Sequence, residues 1–329
     1  MTIRPMEARL AESLPDAGGP WQYEPKWDGF RCLAFKTGRS VELIGKSGKS
    51  LARFFPEVVT LIEEVSARNF VVDGELVIEH EGRLAFDALQ MRLHPAASRI
   101  RNLAAEAPAR LILFDMLVDP AGKEILREPL RERRKALTAF LKTAAVRKRL
   151  VLSPATTSLA KAQKWLAGDD RTSTDGVLAK RLDDPYAPGE RLMIKVKRLR
   201  TADCVVGGFR YLAGKRQVGS LLLGLYDDEG ALNHVGFTSS ISNEDRPALT
   251  RKLEELEKPP GFTGDAPGGP SRWSTERSAE WVPLRPVLVA EVRYDHVTAG
   301  RFRHGTRFIR WRPDKSPDQC TCDQLSQSA

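Results

Sequence analysis

A lysine followed by an Asp-Gly pair and an arginine, in Glu24-Pro-Lys-Trp-Asp-Gly-Phe-Arg31, is where residue types first suggest covalent chemistry. Proline biases Glu24 toward extended geometry and Asp28-Gly29 favours a turn, so Lys26 is expected where a strand meets a hairpin loop. An amine placed there becomes a nucleophile once it loses its proton, which desolvation or a second cation promotes. Taken alone, the segment reads as a polar hairpin, because short motifs match by chance. Other segments change that balance. In Asp73-Gly-Glu75 a strand's period of two turns both carboxylates to one face, and Lys195-Val-Lys197 repeats the spacing with two cations. Asp175-Gly-Val-Leu-Ala-Lys180 sets an acid beside an apolar strand, and Arg312-Pro-Asp-Lys315 groups two cations with one carboxylate. Each by itself is a solvated edge or a surface ion pair. Their order and spacing together are hard to obtain by chance.

Gly45-Lys46-Ser47 and Gly48-Lys49-Ser50 imitate the end of a phosphate-binding P-loop, but the glycine needed five residues earlier is Ser40 or Leu43. No G-x-G-x-x-G fingerprint is present either, so nucleotide chemistry here needs another device.

The elements that must hold these residues alternate between strand and helix. Gln22 to Lys26, Arg31 to Lys36, Ser40 to Ile44, Phe70 to Glu79 and Arg110 to Val118 read as strands. Phe55 to Ala67, Leu130 to Lys142 and Leu159 to Ala167 read as helices, with Pro56 tolerated in the first turn. This pattern predicts a mixed α+β domain with much antiparallel pairing. Beyond Arg200 five strand-like runs follow: Ala202 to Tyr211, Gln217 to Tyr226, Leu232 to Thr238, Val287 to Tyr294 and Thr306 to Trp311. One helix-like run, Asn243 to Lys258, interrupts them, which suits a small closed barrel such as the OB-fold. Pro259 to Pro270, rich in Gly and Pro, reads as an exposed loop. The expected division is 1–199 and 200–329.

Composition agrees with two globular domains. The chain has 329 residues, 41% hydrophobic and 29% charged, and its 52 Lys+Arg against 43 Asp+Glu give a net charge of +9. The surplus suits a polyanionic partner but does not require one. No apolar run is long enough for a membrane span, and the N-terminus lacks a signal-peptide core, so a cytoplasmic protein without membrane association is expected. Cys32 and Cys204 are isolated, Cys320-Thr-Cys322 has one residue between thiols where zinc sites usually have two or more, and the five histidines form no H-E-x-x-H pair, so no zinc pattern is present.

With these pieces in order, the sequence resembles the ATP-dependent DNA ligases, within the covalent nucleotidyltransferases. The family's K-x-D-G-x-R is Lys26 to Arg31; its D-G-E strand is Asp73 to Glu75; its aromatic-Asp strand is Phe114-Asp115. The acid-Gly-hydrophobic segment is Asp175 to Lys180, K-x-K is Lys195 to Lys197, and R-x-D-K is Arg312 to Lys315. The likeness spans nearly the whole chain. It is closest to small bacterial stand-alone ligases and to the ligase domain of bacterial end-joining enzymes, shared segments including Tyr186-Ala-Pro-Gly-Glu-Arg191 and Gly300-Arg-Phe-Arg-His-Gly305. Two departures stand out. Asp175 replaces the usual glutamate, and Gly45-Lys46-Ser47-Gly48 stands where Ser-Arg-Asn-Gly is common, so a lysine without arginine's bidentate fork would make a looser ribose or phosphate contact.

The resemblance implies a nucleotidyltransferase (adenylation) domain followed by an all-β OB-fold barrel, and three phosphoryl transfers. Lys26 attacks the α-phosphorus of ATP to give lysyl-AMP; AMP passes to the 5′-phosphate of a nick; the 3′-hydroxyl displaces AMP and seals the strand. It implies cofactor-binding roles for Glu24, Arg31, Lys46, Glu75, Phe114, Lys195, Lys197, Arg312 and Lys315. Phe114 would stack on adenine, Glu24 would read its edge, and Lys195 and Lys197 would neutralise the α-phosphate and depress the pKa of Lys26. Glu75 and Asp175 would hold the ribose or a divalent ion, Mg²⁺ or Mn²⁺. The second domain would swing about residues 197–201, presenting Arg312 and Lys315 to the leaving pyrophosphate. The implied partners are nicked double-stranded DNA and a delivery protein such as Ku or another repair factor, with the ligase itself a monomer. No extra N-terminal DNA-binding domain is expected, hence modest affinity for nicks. Excision repair and end joining are both open. An NAD-dependent ligase is excluded by the missing four-cysteine module. An RNA ligase or a guanylyl-transferring capping enzyme would share the lysine chemistry, and an OB-fold binding module with a decayed catalytic domain would form no AMP adduct.

Overall fold

The structure of the protein is a computed structural model describing residues 3–17, 19–80, 82–143, 149–168, 174–268 and 280–326. The chain divides into two units, Met1–Arg198 and Leu199–Ala329.

The first unit is built on two sheets. In the five-stranded sheet the order is β4 (Ser40–Gly45), β3 (Phe30–Thr37), β5 (Asn69–Val77), β8 (Arg110–Val118), β9 (Leu150–Leu152), antiparallel except for β8 with β9. Alternation along β5 divides its side chains. Val72 and Leu76 join a core with Phe55, Leu61, Leu137 and Phe140, under helices α1 (Pro56–Glu63) and α4 (Leu130–Thr143). Asp73 and Glu75 take the other face, as a period of two requires. The second sheet runs β1 (Ala8–Ala11), β11 (Met193–Lys197), β10 (Gly176–Arg181), β2 (Trp21–Pro25), with β1 parallel to β11. Helix α5 (Leu159–Ala167) covers it through Trp165 and Ala162 against Val177, Ala179 and Val196. A smaller cluster including Met6, Leu33, Val71, Leu117 and Met193 draws on both sheets and packs them together. The sheets are thus mixed, with antiparallel pairs predominating. A two-residue hairpin, β6 (Glu79–His80) and β7 (Arg83–Leu84), and helices α2 (Phe86–Arg92) and α3 (Ala97–Glu106) complete the connection from β5 to β8.

The second unit is one curled sheet in the order β14 (Leu232–Thr238), β13 (Lys215–Tyr226), β12 (Arg200–Leu212), β16 (Val289–Tyr294), β19 (Arg307–Trp311). Strand β15 (Val282–Pro283) pairs on β12, β17 (Val297–Thr298) and β18 (Arg301–Phe302) form a hairpin, and α6 (Arg246–Glu254) packs against β13. The five expected strands and the helix are present, but the barrel is not closed by a continuous ladder. Among the described residues the backbone pairing between its edges is an isolated parallel bridge, Thr238 to Thr306, supported by the Thr238 hydroxyl donating to the Thr306 carbonyl at 2.9 Å. Phe302 wedges against Gly236 on the closing edge, where a Cβ would lie 2.8 Å from its ring.

The loop expected to be exposed is partly core. Gly269 and Pro270 lie outside the described residues, but Phe262 is 3% exposed, seated over Gly207 and Gly224, where any Cβ would approach its ring to 2.6 and 2.9 Å. All four cysteines are free. Among the described residues no helix is long and apolar enough to cross a membrane.

Beside Phe262 lies His234, 7% exposed, with Nδ1 paired to Arg301 at 2.7 Å and no partner on Nε2. Burial first, then the charges of Arg301 and Arg210, lower its pKa from 6.5 to about 3. The imidazole is therefore neutral in the fold. A group whose pKa is depressed on folding contributes stability above its unfolded pKa and loses it as pH falls. Chemical denaturation between pH 7 and 4.5 should show a loss of about 2 kcal/mol from this residue, and His234→Gln should flatten the slope over that window. An unchanged slope would mean the ring titrates normally.

Candidate active site

Lys26 follows β2 and opens the turn into β3. Its N–H donates to the carbonyl of Gly176 at 2.8 Å, and its carbonyl accepts from the N–H of Asp175 at 2.9 Å. The hairpin is thereby clamped onto the start of β10. Two glycines permit this. A Cβ on Gly29 would sit 2.2 Å from the Leu76 carbonyl, and Gly176 combines φ +145° with a Cβ position 2.1 Å from the Val196 carbonyl. The result places the ammonium of Lys26 2.7 Å from Asp175 Oδ2, each side chain about one-fifth exposed.

The amine opens into a cleft of about 220 Å³ whose walls include Glu7, Trp27, Arg31, Lys46, Glu75, Phe114 and Lys195. Arg31 stands opposite Glu75 across β3 and β5 and grips Asp73 with two bonds, Nε to Oδ1 and Nη2 to Oδ2, both 2.6 Å. Burial would lower the Arg31 pKa, but the Asp73 carboxylate outweighs it and the pKa rises. Asp73, fully buried, also accepts from Tyr186 Oη at 2.7 Å, and that hydroxyl accepts from the N–H of Met6 at 2.9 Å. Glu75 has no such partner. Burial, countered by Arg31 and Lys26 and reinforced by Asp73 and Asp28, pushes its carboxyl up to about 8. Phe114 is 3% exposed, with the Arg31 guanidinium carbon and Lys180 Nζ each 4.5 Å from its ring centroid, in cation–π range. Burial, then the charges of Lys197, Lys26, Lys46 and Arg191, lower the Lys195 pKa. This concentration of cations is what a phosphate-binding cleft requires.

The structure thus brings together Lys26, Arg31, Lys46, Glu75, Phe114, Lys195 and, against Lys26, Asp175. Lys197 sits beside this group, in register with Gly176. Glu24 is set apart. It is buried below the cleft, one oxygen accepting from Lys180 Nζ at 2.8 Å and the other from Gln22 Nε2 at 2.7 Å. In the second unit Arg312 and Lys315 converge on one carboxylate: Arg312 Nη1 reaches both oxygens of Asp203 at 2.9 and 3.0 Å, and Lys315 Nζ reaches Oδ2 at 2.8 Å. Asp314 adds a further ion pair to Arg312 at 2.9 Å. Sequence reasoning assigned no part to Asp203, Tyr186 or Glu7. Only their contacts reveal them, since Asp203 lies 109 residues from Arg312 and Tyr186 lies 113 from Asp73.

An ammonium paired with a carboxylate, further cations and an aromatic ring around one cleft are what a nucleotidyltransferase-type centre needs. The comparisons with known proteins name the class more narrowly. Residues 5–197 match the ATP dependent DNA ligase domain, and residues 214–315 match the ATP dependent DNA ligase C terminal region. DNA ligase C1 of Mycolicibacterium smegmatis is 43% identical over 98% of this chain and 93% of its own length. DNA ligase C of Mycobacterium tuberculosis is 39% identical over 99% and 94%. The solved structure of mycobacterial DNA ligase D complexed with ATP and MES is 27% identical, covers 97% of this chain and 98% of that one, and superposes with a TM-score of 0.50. The chain belongs to the ATP-dependent DNA ligases, as a nucleotidyltransferase unit followed by an OB-fold unit, and it is an enzyme that uses ATP to seal nicks in DNA.

Proposed function

We propose that Lys26 is the catalytic nucleophile, attacking the α-phosphorus of ATP to form lysyl-AMP, and that residues 1–199 are the adenylation domain and 200–329 the OB-fold domain. The observation that carries this is the ammonium of Lys26 at the floor of a cationic cleft, 2.7 Å from Asp175. Asp175 is within reach of the proton that Lys26 must lose, which is the geometry general-base assistance needs. Lys195 and Lys197 neutralise the charge developing on the α-phosphate, Phe114 takes the adenine ring, Arg31 and Lys46 contact ribose or phosphate oxygens, and Glu24 acts from beneath, through Lys180, on the adenine end. After AMP transfer to the 5′-phosphate of a nick, attack by the 3′-hydroxyl releases AMP and joins the strand. Little covalent chemistry falls to the protein beyond Lys26, so placement and charge neutralisation dominate.

Mg²⁺ or Mn²⁺ fits the donors Glu75 and Asp175, which offer only oxygen. Such an ion, when bound, supplies charge neutralisation at the phosphates. Ionised Glu75 and Asp175 would hold it.

Arg312 and Lys315, held side by side by Asp203, are proposed to orient the leaving pyrophosphate, with the OB-fold domain turning about residues 197–201 to serve ATP and then to admit DNA. A cross-link that locks the second domain over the nucleotide should permit lysyl-AMP formation and block sealing; normal sealing by the locked protein would refute the motion. The protein works in the bacterial cytosol as a monomer, on nicked duplexes delivered by Ku or another repair factor. The reading is tested by offering ATP or GTP, then nicked DNA or nicked RNA. Label transfer from ATP followed by sealing of DNA supports it, whereas preference for GTP or for RNA favours a capping enzyme or an RNA ligase.

A further inference from the structure

Lys26 and Phe114 come from different sheets, so no single strand fixes the spacing between the amine and the aromatic wall of the cleft. The bonds of Lys26 to Gly176 and Asp175 hold it within its own sheet, where β2 pairs with β10. Residues 153–156, which follow β9, reach across to the other. The Ser153 N–H donates at 2.8 Å to the carbonyl of Leu113, one residue before Phe114, and so extends the pairing of β8 with β9. Three residues on, the N–H of Tyr23 donates to Thr156 at 2.8 Å and the N–H of Thr156 donates back at 3.0 Å, which fastens the segment to β2. Pro154, between these two anchors, has its φ fixed by its ring. Arg134 of α4 braces the arrangement, donating through Nη2 to the Ser153 carbonyl and through Nη1 to the Phe114 carbonyl at 3.3 Å.

The Ser153 side chain is fully buried, and its Oγ accepts from Trp27 Nε1 at 2.9 Å. Trp27 is joined to Lys26 by the next peptide bond and lines the cleft with it. An indole N–H turned away from water needs an acceptor, so this bond holds the half-buried ring in one orientation. We propose that Ser153 is a positioning residue for adenylation: through Trp27 it fixes the turn carrying Lys26 against the frame that carries Phe114, and so sets the approach of the amine to the α-phosphorus. The proposal rests on Lys26 as the nucleophile. Attack needs the reacting atoms about 3–3.5 Å apart, and a misplacement of about 1 Å costs roughly 10²-fold in rate. The bond itself is made to no part of ATP, so its loss acts on kcat and spares KM.

Ser153→Ala and Trp27→Phe break the bond from opposite ends, and the main-chain bonds of Ser153 survive the first. In the full-length protein each is expected to slow lysyl-AMP formation at saturating ATP by roughly 10-fold, with the KM for ATP within about twofold of wild type. The double variant should be no slower than either single one, because all three remove the same bond. Sealing of a nick whose 5′ end already carries AMP should stay near the wild-type rate, since Lys26 attacks nothing in that step. Equal losses in adenylation and in that sealing, a raised KM at unchanged rate, losses that multiply in the double variant, or no loss in any variant would each overturn the proposal. Should Ser153→Ala fail to fold, Trp27→Phe alone still decides the matter through rate, KM and sealing. A wild type that forms no lysyl-AMP would instead refute the nucleophile, an outcome visible before any variant is compared.

Discussion

Replacing Lys26 with arginine is expected to abolish nick sealing from ATP, lowering kcat/KM by roughly 10⁴-fold or more. A guanidinium stays protonated at any working pH and has no lone pair to give to phosphorus. The positive charge and its pairing with Asp175 survive, so fold and cleft should persist. The same variant is expected to retain sealing of a nick whose 5′ end already carries AMP, because the nucleophile in that step is the 3′-hydroxyl of the DNA. Equal loss on both substrates would mean that Lys26 holds the site together instead of attacking ATP.

The largest effect on stability is expected at Asp73. Its carboxylate is fully buried and neutralises Arg31 with two short bonds while also accepting from Tyr186. Asp73→Ala would leave a guanidinium only 16% exposed without its counter-charge and the tyrosine hydroxyl without its acceptor. Breaking a buried pair from one side costs about 3–5 kcal/mol, against about 1 kcal/mol for losing the hydroxyl alone in Tyr186→Phe. For a unit of this size the first corresponds to a fall in Tm of about 10 °C. Thermal unfolding of the two variants should therefore differ severalfold. Similar small losses in both would show that water solvates Arg31 readily and that Asp73 is dispensable for the fold.

Much of this architecture was legible in the sequence because the site residues sit on strongly patterned strands. Arg110–Val118 and Leu159–Ala167 were bounded to the residue, since an apolar run and an amphipathic helix each carry their own period. Other elements left no such signal. β1 has no buried residue, and α2 and α3 bury only Leu89, Arg92, Ile100 and Ala104, too few to mark a helical stripe. The expected barrel closure rested on strand number and on family resemblance, and neither says how the edges meet. Within the site, spacing placed Asp73 and Glu75 on one face, but not their opposite fates. One is saturated by Arg31 and Tyr186, whereas the other is left with a carboxyl raised to about 8. The pairing of Lys26 with Asp175 joins residues 149 apart and has no local signature. Glu24 has partners that spacing does not foretell: Lys180 and Gln22 each donate to one of its oxygens, Lys180 from 156 residues away.

Intact mass spectrometry of the purified protein, with and without ATP and a divalent cation, bears most directly on the central claim. A gain of one adenylate, reversed by pyrophosphate and localised to the peptide carrying Lys26, is the predicted result. No adduct, or an adduct that persists unchanged in Lys26→Ala, would contradict it.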